Sequence, residues 1–424
     1  MACPMWGRAS NGRTARKVPV FASAMDNPAA SCSADAIMDR RQFIAGSAAL
    51  GLIAPLPLRA QNGPPLTLTP INARPDRIFR TTVCTRPFRA AGPRIAAERI
   101  GRATVVHHYG HGGSGWSLAW GSAMEMLPLA LAPGDTDVAV IGAGAIGLTS
   151  ALMLQRAGRR VTIYAKERFP DVRSARATGV WSPDSRIAFD AAAAEFGDSW
   201  ERMARRSFAY HQRFLGLAGD PVEWADHYEL FDASAAAVGE QGSSALSTEP
   251  PRPGRFAHWG NRIRDLTPTT ERLPAGSHPF PVPVAHRTAG MQFNIAALSH
   301  RLEADFLAAG GRFVPRSFNE PAEFGRLKER VVVNCTGYGA RALMRDESVV
   351  PVRGQIAWLI PQAGVNYGLY YRGVSVVGRR DGIVVQPVGQ DDWFGYGDDS
   401  EAPDRAAAEA GVAVIAGLFP PARL

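Results

Sequence analysis

Residues 137–164, DVAVIGAGAIGLTSALMLQRAGRRVTIY, constrain the fold more than any other stretch of the chain. The apolar run Val138–Ile141 leads into Gly142-Ala143-Gly144-Ala145-Ile146-Gly147. Helical spacing continues through Leu148, Ala151, Leu152 and Leu154. Gly158 then stands where a helix C-cap glycine belongs, and a second strand, Val161–Tyr164, follows. The three glycines of the turn are needed for different physical reasons. Gly142 permits the tight turn, Gly144 lets backbone approach a pyrophosphate, and Gly147 lets helix pack on strand. The phosphates would sit at the helix N-terminus, beside Ala145 and Ile146, where unpaired N–H groups and the dipole favour anions. Glu167 lies 20 residues beyond Gly147, the place for a carboxylate that accepts hydrogen bonds from a ribose. Strand, turn, helix, second strand and acid in one register specify a bound dinucleotide. At this step FAD and NAD both remain open.

A chain of 424 residues with 46% apolar and 20% charged residues is globular and long enough for two or three domains. The net charge of +8 is shared between residues 1–60 and the remaining 364, +4 each, and no Lys/Arg run is interleaved with aromatics. Nucleic-acid binding is therefore not expected. In residues 38–60, Arg40-Arg41 precede Phe43 and an uncharged stretch to Leu58, with Ala60 at its end. That layout resembles a twin-arginine export signal, and 16 residues with two prolines fall short of the ~20 needed to span a bilayer. The expectation is a signal over 38–60 behind a spurious or disordered extension over 1–37, and a periplasmic or secreted protein with no stable membrane span. Past residue 60 only Cys84 and Cys335 remain, which is neither a disulfide framework nor a metal-ligand spacing, so no metal is expected. Cys335 follows an apolar run and reads as a buried thiol.

Four further segments carry a family likeness. Ala177–Pro183 (ATGVWSP), Val331–Gly337 (VVVNCTG), Arg353-Gly354-Gln355-Ile356 and above all Val105–Gly121 (VVHHYGHGGSGWSLAWG) resemble D-amino-acid oxidases. The resemblance implies FAD as the cofactor. In that family the HGG motif lies near the C-terminus, after the dinucleotide motif, whereas here it comes first. Arg80–Ile95 also resembles a stretch that lies shortly upstream of HGG in the family. The chain therefore resembles a circularly permuted D-amino-acid oxidase whose C-terminal quarter has moved to the front. A helix from Trp116 to Leu131 would end near the start of the first dinucleotide strand, and Ala132–Thr136 would bridge them. The expected fold is α/β: a Rossmann-like FAD-binding domain (96–184 and 291–355) plus a mixed α+β substrate domain (61–95, 185–290 and 356–424). Asn294 would cap a helix running to Ala309, with Gly310-Gly311 ending it. The stretch 232–285 would hold long loops.

The resemblance also implies a reaction: hydride transfer from the α-carbon of a D-amino acid to the flavin. Dioxygen then takes the electrons to give hydrogen peroxide, and the imino acid hydrolyses to a 2-oxo acid and ammonia. An arginine fork grips a carboxylate best, because two parallel N–H groups fix its plane and its position. Arg86 matches the family's carboxylate arginine, with Arg89 and Arg94 as nearby competitors. Gly113 would offer a carbonyl to the substrate amine, and Ser117 would hydrogen-bond the flavin ring. Gly112, Ser114 and Gly115 complete that turn, while Arg168, Thr178, Gly179, Phe318, Thr336 and Gly337 would also line the cofactor. His111 reads as structural rather than as a general base. An ungapped alignment of Tyr371–Gly382 puts Tyr371 on one active-site tyrosine of the family and Ser375 on the second, with Tyr370 and Tyr367 as substitutes from the same loop. Gln386-Pro387-Val388 stands where the family has a Gly-Gly-Thr turn, so the preferred substrate does not carry over. Dioxygen and a small D-amino acid are the expected partners, and the oligomeric state is open. A dehydrogenase passing electrons to a membrane acceptor and a non-catalytic flavoprotein are the alternatives; retention of Arg86 argues against the latter.

Overall fold

The apolar run before GAGAIG becomes a central strand of a six-stranded sheet. In a computed structural model, which describes residues 66–232 and 252–419, that sheet has the order β2-β3-β10-β4-β5-β9. The strands are β2 (Arg94–Ile100), β3 (Ala103–Tyr109), β4 (Asp137–Ile141), β5 (Arg160–Ala165), β9 (Arg312–Pro315) and β10 (Val331–Asn334). Strands β3, β10, β4, β5 and β9 run parallel, and β2 closes the edge as an antiparallel hairpin with β3. Central strands that are covered on both faces need continuous apolar sequence, and β4 and β10 are buried almost throughout.

Three helices cover one face: α1 (Gly115–Leu131), α2 (Ala145–Arg156) and α4 (Ile295–Ala308). A further helix, α3 (Ala193–His211), packs on α1, with Trp120 stacked on Tyr210 at 3.9 Å between centroids. A Cβ on Gly121 would lie 2.0 Å from the Met203 carbonyl oxygen, so the two helices approach this closely only because residue 121 has no side chain. The short α5 (Ala340–Leu343) and a 3-10 turn at Pro321–Arg326 cover the opposite face.

The second sheet has eight strands in the order β1-β11-β14-β13-β12-β6-β8-β7. They are β1 (Ile78–Phe88), β6 (Val222–Phe231), β7 (Glu271–Arg272), β8 (Val284–Phe293), β11 (Val350–Leu359), β12 (Gly368–Tyr371), β13 (Val374–Arg379) and β14 (Gly382–Pro387). One face packs on α6 (Arg405–Ala416) through Ala408, Val412 and Ile415. Period-2 alternation leaves the other face free to line a cavity.

Several expectations meet the structure directly. The helix expected from Trp116 to Leu131 spans Gly115–Leu131, and residues 132–136 join it to β4. The helix after Asn294 runs to Ala308, but the Asn294 side chain does not cap it. Its Nδ2 donates instead to Asp220 O and Glu223 Oε1, tying the helix start to the turn before β6. The expected domain boundaries shift, because β2 joins the cofactor sheet whereas β8 and all of β11 join the larger one. The expected signal over 38–60 and the extension over 1–37 lie outside the described residues, as do 233–251 of the loop-rich stretch. Among the described residues no helix is long and apolar enough to cross a membrane, and no cluster of His, Cys, Asp or Glu is arranged to hold a metal.

Candidate active site

A cavity of about 790 Å³ opens between the two sheets, lined from the cofactor side by the GAGAIG turn and the HGG turn. Gly142 sits at φ +104, where side-chain residues are strained, and a Cβ there would lie 2.7 Å from Cys335 O. At Gly147 a Cβ would meet the Gly142 carbonyl oxygen at 2.0 Å, so α2 rests directly on the turn that precedes it. Gly142, Gly144, Ala145 and Ile146 line the cavity, while Gly147 serves only this packing. The Ala145 N–H donates to Ser174 Oγ at 3.0 Å, so a hydroxyl already sits where an anion's oxygen would be held. Glu167, just past β5, faces the same end.

The HGG turn follows β3. Gly112 has φ +53, and a Cβ there would lie 1.8 Å from Arg186 O. Gly113 N–H donates to Ser185 O at 2.9 Å, and Ser114 Oγ donates to the same oxygen at 3.1 Å. Segment 185–186 thus clasps the turn, with Arg186 itself at φ +49. Ser117 Oγ accepts the Ser182 N–H at 2.9 Å, which leaves its own proton free to donate into the cavity.

Behind the turn runs a buried hydrogen-bond relay. Ser150 Oγ donates to Ile146 O at 2.6 Å, so it accepts from His108 Nδ1 at 2.9 Å. His108 Nε2 must then accept from Ser122 Oγ, and Ser122 accepts from His111 Nε2, each at 2.6 Å. Burial pushes the His111 pKa down to about 3 and holds His108 well below the usual value, so both rings are neutral. Through this relay His111 links the HGG turn to α2.

Arg86, on β1, projects onto the cavity face of the large sheet. Among the described residues it forms no ion pair, and its one hydrogen bond is from Nη1 to Arg353 O at 3.3 Å. Burial, and then the charge of Arg186, lower its pKa to about 10, so it remains a cation at neutral pH. A buried cation without a partner is costly, and an anionic ligand removes that cost. Its competitors are engaged elsewhere: Arg89 with Ser348 and Gly92, Arg94 with Tyr109 and Glu98.

The profile of the FAD dependent oxidoreductase family matches residues 137–424. The chain belongs to that family. Its cofactor is FAD, and the cavity suits it: glycines where a side chain would strike backbone, a helix N-terminus for the pyrophosphate, and an acid for the ribose. Among its relatives in the family, the chain is 33% identical over 231 residues to a D-amino-acid oxidase of Streptomyces coelicolor, covering 52% of this chain and 58% of that one. It is also 33% identical over 224 residues to a D-amino-acid oxidase of Rubrobacter xylanophilus, covering 51% and 57%. The chain thus spans under three-fifths of the length of these curated relatives. A solved iminodiacetate oxidase of Chelativorans aligns at a TM-score of 0.47 with 18% identity, over 66% of this chain and 79% of that one.

In this flavoenzyme most of the expected residues meet. Gly112, Gly113, Gly115, Ser117, Thr178, Gly179, Phe318, Thr336, Gly337 and Arg86 all line the cavity, with Ser114 anchoring the turn behind them. Two expectations are corrected. Tyr371 faces the opposite core, where it is 8% exposed and its hydroxyl donates to Asp232 Oδ1 at 2.7 Å. Its neighbour Tyr370 lines the cavity instead, directly across the hairpin from Ser375, because successive strand residues point to opposite faces. Arg168 lies outside the cavity, since Glu303 on α4 captures it at 2.7 Å and Phe313 stacks beneath it.

Tyr370, one of the two substitutes for the second tyrosine, and Gln386, whose Oε1 accepts the Thr178 hydroxyl, line the cavity, as do Ser174, Arg186 and Glu229, which were not singled out from the sequence. Strand alternation around Tyr370 and Gln386 was available as a signal. Nothing local marks Arg186, whose carbonyl packs against Gly112 of the HGG turn.

Proposed function

We propose that the protein oxidises D-amino acids to 2-oxo acids, ammonia and hydrogen peroxide, consuming dioxygen and water. The unpaired Arg86 guanidinium on the cavity face carries this reading, because it calls for an anion and the carboxylate of an amino acid supplies one. Bound FAD supplies the acceptor for the hydride. The chain's own residues bind and orient: Arg86 fixes the plane of the substrate carboxylate and so restricts the α-carbon to one approach. The N-terminus of α2 and Glu167 hold the far end of the cofactor, and Ser117 donates to its ring. With His111 neutral and engaged, the substrate reacts with its amine already deprotonated by solvent.

The test uses purified protein and its flavin absorbance near 450 nm, with D- and L-amino acids added in the absence of oxygen. Bleaching by D-isomers only, followed by peroxide on admitting air, is the expected outcome. Bleaching without peroxide would make the protein a dehydrogenase, and no bleaching by any amine would end the catalytic reading. Arg86→Ala is expected to raise KM at least tenfold, about 1.4 kcal/mol or more, with flavin still bound.

Two further parts of the proposal rest on sequence order. Residues 38–60 act as an export signal, so Arg40→Lys with Arg41→Lys is expected to retain the protein in the cytoplasm on fractionation. The chain is a circular permutation, supported by the family match beginning at Asp137, the first residue of β4, although the HGG turn precedes it.

A further inference from the structure

Arg86 is held over a strand position that has no side chain. It pairs with Val352 across the β1–β11 ladder, yet its guanidinium lies over Gly354, which pairs with Cys84. A Cβ on Gly354 would lie 2.4 Å from Arg86 Nη2 and 2.7 Å from Cζ and Nη1. The carbonyl of the adjoining Arg353 accepts from Nη1 at 3.3 Å. The side chains on either side of Gly354 turn away from Arg86. Arg353 donates to Ser400 O at 3.0 Å and Ala402 O at 2.9 Å, and Gln355 Nε2 donates to Asp404 O at 2.7 Å. The strand thus clasps the 400–404 segment with two side chains and leaves between them a bare seat for the guanidinium.

We infer that Gly354 is the positioning residue for the carboxylate clamp, its missing side chain setting where the Arg86 fork lies in the cavity. The inference rests on the proposed role of Arg86. The φ of Gly354 lies outside the left-handed region, so alanine fits the backbone there and only the space over the strand changes. The group that must move is the end of a flexible side chain, which shifts at little cost to the fold. The fork leaves its seat while the sheet stays in place.

The experiment compares FAD-loaded wild type, Gly354→Ala, Arg86→Ala and the double variant. Benzoate, a carboxylate with no amine to oxidise, is titrated against the flavin spectrum, and KM, kcat, the FAD dissociation constant and Tm are measured alongside. Gly354→Ala is expected to weaken benzoate and raise KM about tenfold or more, with FAD affinity and Tm unchanged. In the Arg86→Ala background it should add nothing, because the two residues act through one group. Unchanged benzoate binding in Gly354→Ala, or a loss of FAD affinity or Tm of comparable size, overturns the inference. If Arg86→Ala itself binds benzoate normally, the proposed function fails first, so the two failures are distinguishable.

Discussion

Burial acts on Arg86 and His111 in the same direction, yet it leaves one charged and the other neutral at pH 7. For His111 the folded pKa of about 3 lies below the ordinary histidine value of 6.5. Between those two limits the unfolded chain binds more protons than the folded one. The stability this group contributes is therefore fully present above pH 6.5 and is lost as pH falls toward 3, at up to about 1.4 kcal/mol per pH unit. His111→Gln, which titrates nothing, should flatten the acid limb of stability when urea midpoints are compared from pH 7 to pH 4. An equally steep limb in the variant would mean that His111 is not held neutral. At this scale the sequence indicated residue type better than direction. Arg86 was legible from its surrounding segment, whereas two adjacent tyrosines on one strand were not. A shift of a single residue exchanges cavity for core, and only the hairpin partner Ser375 decides between Tyr370 and Tyr371.

Between elements, the relay from His111 to Ile146 joins the HGG turn to the first turn of α2, two parts of the cofactor cradle from opposite sides of the 115–131 helix. Neither Ser122 nor Ser150 lines the cavity. Ser122→Ala removes the hydroxyl between the two imidazoles and strands both nitrogens in a buried site, where each lost partner costs roughly 1–3 kcal/mol. The expected result is a FAD dissociation constant raised about tenfold, read by titrating apo-protein with FAD and following flavin fluorescence. An unchanged constant would leave the relay as packing alone. Gly147→Ala tests the other contact of the same helix. There the obstacle is Gly142 backbone, which cannot swing aside, so α2 must move by tenths of an ångström or more. A loss of about 1–3 kcal/mol in stability is expected, together with weaker FAD binding. The elements themselves were legible, because glycine spacing and apolar runs are local properties. The capture of Arg168 by Glu303 and the clasp of Arg186 on the HGG turn were not, since each depends on segments 74 or more residues apart meeting in space.

For the whole molecule, the order of segments along the chain differs from their order in the sheets. The HGG strand β3 precedes β4 in sequence, yet β10, from almost 200 residues further on, pairs between them. Neighbours in the sheet are therefore not neighbours in sequence. The same holds at the large sheet: Arg405, opening α6, donates to Pro75 O at 2.9 Å just ahead of β1, and Leu66 and Phe419 pack against one core cluster. A short peptide could join these ends, and the five residues 132–136 could be opened in exchange, without breaking either sheet. The proposed permutation predicts that such a chain, running from 137 through 419 and then from 66 through 131, folds and binds FAD. Its FAD dissociation constant should lie within about threefold of the parent's, because the cavity-lining contacts are the same and only loop closure differs, at well under 1 kcal/mol. Flavin fluorescence titration and near-UV circular dichroism read both properties. A soluble rearranged chain that does not hold flavin would show that the link from α1 to β4 is needed to build the cofactor site.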